Sequence, residues 1–169
     1  MSIYVNEQQK LFTLHTKNSS YQFFADEHGY LEHLYYGAPI GEADMRYMRY
    51  FSDCGFSPNP YDLRGQRQFS LDTLSQEYSG YGCGDFRLNG VQPEYADGSR
   101  SADFHYQGYE KIQGKYAVQG MPACYDNGGE WETLRIDLKD EVSGLELQLY
   151  YGVCEKLDVI NRCAVFHNG

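Results

Sequence analysis

Carboxylates are the commonest chemistry-bearing side chains here: Asp and Glu total 24 in 169 residues, beside 5 histidines and 5 cysteines. Hydrolysis by a carboxylate pair needs the two acids facing each other across the bond to be cut, and nothing in the spacing of these acids selects such a pair. Metal ligation wants His, Cys or acids grouped at short fixed intervals. His15, His28, His33, His105 and His167 show no such grouping. His28 and His33 flank an expected turn and read as surface or packing residues. Cys54, Cys83, Cys124, Cys154 and Cys163 are odd in number and scattered, with no Cys-x-x-Cys pair. Neither a disulfide framework nor a zinc site is expected, no signature marks a nucleophile, and reduced thiols in a cytoplasm fit best. Gly80-Tyr81-Gly82-Cys83-Gly84 lacks the helix and the Lys-Ser/Thr pair of a phosphate loop. No metal or organic cofactor is expected.

Charge narrows the partners. With 14 Lys and Arg the net charge is −10. Nucleic acid and anionic membrane surfaces both demand positive charge, so neither is an expected partner. A neutral ligand is compatible with that balance. No apolar run is long enough to span a bilayer, and Met1-Ser2-Ile3-Tyr4-Val5 has no signal-peptide character. Asn18-Ser19-Ser20 matches a glycosylation acceptor but reads as a turn in a cytoplasmic chain.

The elements that must position any site are strands. Tyr occurs 17 times beside 9 Phe and 1 Trp, an enrichment that favours sheets. Leu134, Ile136 and Leu138 alternate with Thr133, Arg135 and Asp137. Leu145, Leu147, Leu149 and Tyr151 alternate with Glu146, Gln148 and Tyr150. That period of two puts one face on a core and the other in water. Residues 139–144 read as the hairpin loop between these strands. Earlier, 11–15, 21–25 and 30–36 read as an antiparallel meander broken at Lys17-Asn18-Ser19 and Asp26-Glu27-His28-Gly29. Further strands are expected at 85–95, 102–111, 115–118 and 157–166, the last buried on both faces. Trp131 reads as packing at a strand start. The nearest approach to a helix is 42–50, short and uncapped. The expected fold is therefore all-β, a single sandwich domain over residues 1–169.

Residues 41–84 depart from that pattern. They alternate little, yet carry Arg46, Arg49, Arg64, Arg67, Asp53 and the aromatics Tyr47, Tyr50, Phe51, Phe56, Tyr61 and Phe69. Long irregular segments in compact domains are usually functional or disordered. Leaving so many rings in water is costly, so this segment is expected to pack on something, such as another subunit. Val165-Phe166-His167-Asn168-Gly169 reads as a strand running into a turn, as in a domain cut from a longer protein.

A series of motifs, in order, resembles one family. It runs through Tyr30-Leu31-Glu32-His33-Leu34-Tyr35-Tyr36-Gly37, Phe56-Ser57-Pro58-Asn59-Pro60, Phe69-Ser70-Leu71-Asp72-Thr73-Leu74 and Gln76-Glu77-Tyr78. It continues in Gly84-Asp85-Phe86-Arg87, Asp97-Gly98-Ser99-Arg100, Gly120-Met121-Pro122-Ala123, Glu132-Thr133-Leu134, Gly144-Leu145-Glu146-Leu147 and Asp158-Val159-Ile160-Asn161-Arg162. Each piece alone is weak, but the ordered set is similar to the N-terminal region of bacterial α-galactosidases of glycoside hydrolase family 36.

The resemblance implies an antiparallel β-supersandwich, galactose-mutarotase-like, placed before a catalytic (β/α)8 barrel that is absent from these residues. It implies a parent enzyme that removes terminal α-galactose from melibiose- and raffinose-type sugars with retention, using two barrel aspartates. The chain alone is then expected to be inactive. It also implies a homotetramer in which a loop of this domain reaches a neighbouring active site. The aspartate just before the Ser-Pro-Asn-Pro stretch, here Asp53, would accept hydrogen bonds from sugar hydroxyls. By residue type alone Asp53 reads as a solvated loop acid. Arg64 and Arg67 are weaker candidates for the same rim, because Leu63-Arg64-Gly65-Gln66-Arg67 departs from the family pattern. A free-standing carbohydrate-binding module, stacking sugars on Tyr rings, is the alternative from another class.

Overall fold

Alternation of apolar and polar residues decides most of the architecture. A computed structural model describes residues 2–53, 63, 65–126 and 128–168. Two antiparallel four-stranded sheets enclose an apolar core. The first comprises β1 (Ile3–Asn6), β2 (Leu11–His15), β3 (Ser20–Ala25) and β4 (Leu31–Gly37). The second comprises β5 (His105–Gln113), β6 (Trp131–Lys139), β7 (Glu146–Cys154) and β8 (Val159–His167). Each sheet runs in chain order, so within a sheet every strand pairs antiparallel with its sequence neighbour.

The core fills the space between the sheets. Phe12, Leu14, Phe23, Ala25 and Leu31 of the first meet Leu134, Ile136, Leu138, Leu147, Leu149, Tyr151 and Val153 of the second. Phe23 stacks on Phe12 with centroids 5.2 Å apart and on Tyr151 at 4.8 Å, so one aromatic column crosses the sandwich. The outward residues of β6 are charged as the alternation requires: Arg135 pairs with Asp137 at 2.9 Å and with Glu110 of β5 at 2.8 Å. Trp131 is buried at the start of β6, as packing.

The outer face of the first sheet is also covered. Leu11, Phe24 and Leu34 turn away from the main core and pack with Met45, Ile40 and Tyr35. The strap that covers them, residues 38–50, is pinned by one buried amide. Gln22 accepts from the Met45 backbone N–H at 2.8 Å and donates to the Ala43 carbonyl at 2.9 Å. The expected near-helix in this strap is a single 3-10 turn, Arg46–Met48.

Four expectations about elements are corrected, and one strand is added. A strand at the N-terminus, β1, adds to the meander. Residues 85–95 form no strand, and their ladder contact among the described residues is the isolated Gly80–Val91 bridge. The strand in 102–111 begins at His105 and runs to Gln113, and 115–118 is irregular. β8 is not buried on both faces: among the described residues it is an edge strand paired with β7, none of its side chains is fully buried, and Val159 and Phe166 stay partly in water. The turn at Asn18 is present and does structural work, its backbone N–H and amide donating to Asp158 at 3.0 and 2.9 Å across to the β7–β8 turn.

Candidate functional site

The long connection between the sheets carries most of the polar chemistry. Residues 75–77 return to the edge of β4, where His33 N–H donates to the Ser75 carbonyl at 2.7 Å and Glu77 N–H to Leu31 at 2.8 Å. That pairing aims the Glu77 side chain between the sheets. Tyr21 of β3 donates to its carboxylate, and Tyr151 of β7 donates at 3.1 Å. Arg162 of β8 lies 3.4 Å from the carboxylate and donates to the Glu77 carbonyl at 3.1 Å. A His33 ring nitrogen lies 3.6 Å from the carboxylate.

Burial pushes the Glu77 carboxyl up, but His33, the Arg162 charge and the Tyr21 hydroxyl together hold it below its ordinary value. Burial and the Glu77 charge raise both tyrosine hydroxyls, keeping them neutral donors. A carboxylate so fully engaged is a poor proton donor. Glu77 clasps loop, first sheet and second sheet together, although a cleft of about 420 Å³ opens beside it.

The next motif is a knot of the same kind. Arg87 donates to Asp85 through Nε at 2.9 Å and Nη2 at 2.8 Å, and to the carbonyls of Leu71 at 2.9 Å and Leu74 at 2.6 Å. Gln76 donates to Asp85 at 2.8 Å. Asp85 is held below its ordinary value, the Arg87 bonds outweighing burial. This knot leaves the side chains between and after its members, Phe86 and Leu88, 77% and 98% exposed.

The segment leading to Asp53 is anchored differently. Arg49 meets Glu32 of β4 in a two-pronged pair, Nη2–Oε1 2.6 Å and Nε–Oε2 3.0 Å. Its guanidinium is sandwiched between the rings of Phe24 and Phe51, at 5.0 and 4.6 Å. Burial raises the Glu32 carboxyl to about 7, opposed by Arg49 and reinforced by the neighbouring Asp26 carboxyl. Past Arg49 the chain comes into water: Tyr50 is 71% and Phe51 43% exposed.

Two of the sequence-predicted site residues meet there. Arg67 lies 3.1 Å from Asp53, both side chains at least half exposed. Arg67 also lines a cleft of about 410 Å³ with Arg49, Phe51, Gln66 and Phe69. Arg64, the third, lies outside the described residues, as do Cys54 and the Phe56–Pro60 motif. Among the described residues no cluster of His, Cys, Asp or Glu could hold a metal ion, and no helix is long and apolar enough to cross a membrane.

Sequence reasoning did not single out Glu32, Glu77, Tyr21, Tyr151 or Arg162. The one local signal was an acid inside an apolar strand run, Glu32 between Leu31 and Leu34. The others join residues far apart in the chain, and no spacing rule connects them.

Residues 29–169 match the family described as the glycosyl hydrolase family 36 N-terminal domain. The bifunctional alpha-galactosidase/sucrose kinase AgaSK of Mediterraneibacter gnavus is 43% identical over 168 residues, covering 99% of this chain and 18% of its own length. The solved galactosidase domain of AgaSK superposes with a TM-score of 0.94 at 43% identity, covering 98% of this chain and 23% of that one. Alpha-galactosidase AgaA of Geobacillus stearothermophilus is 42% identical over 171 residues, covering 99% of this chain and 23% of its own length. Crystal structures of AgaA in complex with raffinose and with stachyose superpose with TM-scores of 0.88 at 39% identity, over 94% of this chain and 22% of theirs. The chain thus spans about a fifth of the length of these relatives.

Proposed function

Because the chain belongs to the glycosyl hydrolase family 36 N-terminal domain family, we propose that it is the non-catalytic β-domain of a retaining α-galactosidase acting on raffinose-type sugars. The observation that carries this reading is full-length similarity to one region of much longer α-galactosidases. The remainder of the relatives' length leaves room for a catalytic barrel, to which the resemblance assigns both catalytic aspartates. The domain's own buried acids suit a structural role: Glu77 and Asp85 are ionised, paired and held below their ordinary values.

In this reading the strap beyond Arg49 leaves its own sandwich to meet a neighbouring subunit of a tetramer. Asp53 contributes hydrogen-bond acceptors at the mouth of that subunit's active site. The exposed Tyr47, Tyr50 and Phe51 support a contact surface there, since aromatic rings are enriched where protein meets protein. Arg67 stands beside Asp53 at the same rim.

Hydrolysis of a chromogenic α-galactoside tests the reading, with the 169-residue chain and with the chain continued into its downstream coding sequence. Activity is expected only in the longer protein. Activity in the chain itself would overturn the reading. Saturable raffinose binding by the chain without hydrolysis, and none gained on extension, would favour a free-standing carbohydrate-binding module.

A further inference from the structure

We infer that Arg49 and Glu32 are positioning residues for substrate binding: their buried pair sets where Asp53 is presented. The inference rests on the reading that Asp53 contacts the sugar, and it follows the chain's anchors in order. The strap is fixed to the first sheet by Gln22 at Ala43 and Met45, and by Met45 packing against Leu11, Phe24 and Leu34. After Met45 the 3-10 turn buries no side chain. Arg49 then returns to the sheet. Its partner Glu32 is 2% exposed, and Arg49 itself 21%. Among the described residues it is the last deeply anchored side chain before Asp53.

The anchor is stiff for physical reasons. A planar guanidinium in a two-pronged pair has one orientation, and faces between two rings fix its tilt. One of those rings, Phe51, belongs to the loop itself and lies two positions before Asp53. The clamp therefore grips the backbone on both sides of Tyr50. The Arg67–Asp53 pair cannot substitute for it, because both partners are exposed and such pairs contribute little. Lysine at position 49 would keep the charge and lose the two-pronged geometry and the stacking.

The closing experiment uses the full-length α-galactosidase that contains this chain, with raffinose as probe. Arg49→Lys and Glu32→Gln are each expected to raise KM about three- to ten-fold and leave kcat within about two-fold. In an Asp53→Ala background the same changes should add less than about two-fold, because the residue they position is gone. Equal penalties in both backgrounds would mean a general structural role and overturn the inference. An unchanged KM in Arg49→Lys, with a raised KM in Asp53→Ala, would overturn it while leaving the role of Asp53 intact. An unchanged KM in Asp53→Ala would remove that role and this inference with it. Phe51→Leu, at a partly exposed position, provides the same test without disturbing the buried charges. It should raise KM in the wild-type background alone.

Discussion

At the scale of single residues, the buried acids divide by the company they keep. Glu77 gathers two hydroxyls, a guanidinium and an imidazole, and stays ionised. Glu32 has one cation and a neighbouring carboxyl, and its value rises to about 7. The two therefore act on stability in opposite pH windows. Glu32 contributes stability that is full below its ordinary 4.5 and is lost as pH rises through about 7. His105, raised to about 8 chiefly by Asp103, adds stability that is full below 6.5 and lost as pH rises through about 8. Glu77 and Asp85 work on the acid limb, where stability falls as pH drops through their depressed values. His15, lowered mainly by burial, opposes the first two below its ordinary 6.5. The expected balance is a domain with a higher Tm near about pH 5.5 than near about pH 8.5. Glu32→Gln should flatten that slope up to neutrality. A thermal melt series settles the point, and an unaltered slope in the variant would exclude Glu32 as the titrating group.

At the scale of elements, the knot at Asp85 and Arg87 replaces a strand. The guanidinium gathers the carbonyls of Leu71 and Leu74 and the Asp85 carboxylate, groups that a ladder would otherwise satisfy. Arg87→Ala leaves two carbonyls and a buried carboxylate without this partner, at a cost of about 2–4 kcal/mol. The damage should be local. Amide exchange is expected to quicken over 70–88 while the amides of β2 and β6 keep their protection. Uniform quickening would mean that this segment and the sandwich unfold as one unit. The same knot explains what could be read in advance. β6 and β7 were visible because each has one wet and one dry face, so burial writes a period of two into the chain. Residues 85–95 carry apolar and polar residues in strand-like proportion, but at 85–87 their bonds are made with side chains, which no periodicity reports. β1 was hidden for a simpler reason, since four residues, Ile3–Asn6, are too few for a period to show. Of the candidate site, Asp53 is proposed from the ordered family motifs, and Arg67 only as a weaker neighbour in a run that departs from the family pattern. The Glu32–Arg49 clamp was not legible, because its partners come from separate elements that only the fold joins.

At the scale of the whole molecule, the question is which apolar surface the domain keeps for itself. The space between the sheets is closed by Phe12, Phe23, Leu147 and Tyr151, and the outer face of the first sheet by the strap. Leu88, Phe86, Tyr47 and Tyr50 take part in neither closure and are 98%, 77%, 78% and 71% exposed. Side chains in water on the folded domain gain almost nothing from its folding. Replacing them should therefore shift its stability by no more than about 0.5 kcal/mol. On the proposed reading, the outcome should differ in the longer protein. If these rings and Leu88 meet the rest of the parent or a neighbouring subunit, burying a leucine or an aromatic ring there is worth about 1.5–3 kcal/mol. Leu88→Ser and Tyr47→Ser are thus expected to leave the Tm of the isolated chain unchanged and to lower the Tm or the oligomeric order of the full-length protein. Parallel melts and light scattering on both proteins make the comparison. Equal losses in the two would mean that these side chains already stabilise the sandwich. No loss in either would leave the surface without a partner, and the assembly reading would have to rest on the strap before Asp53 alone.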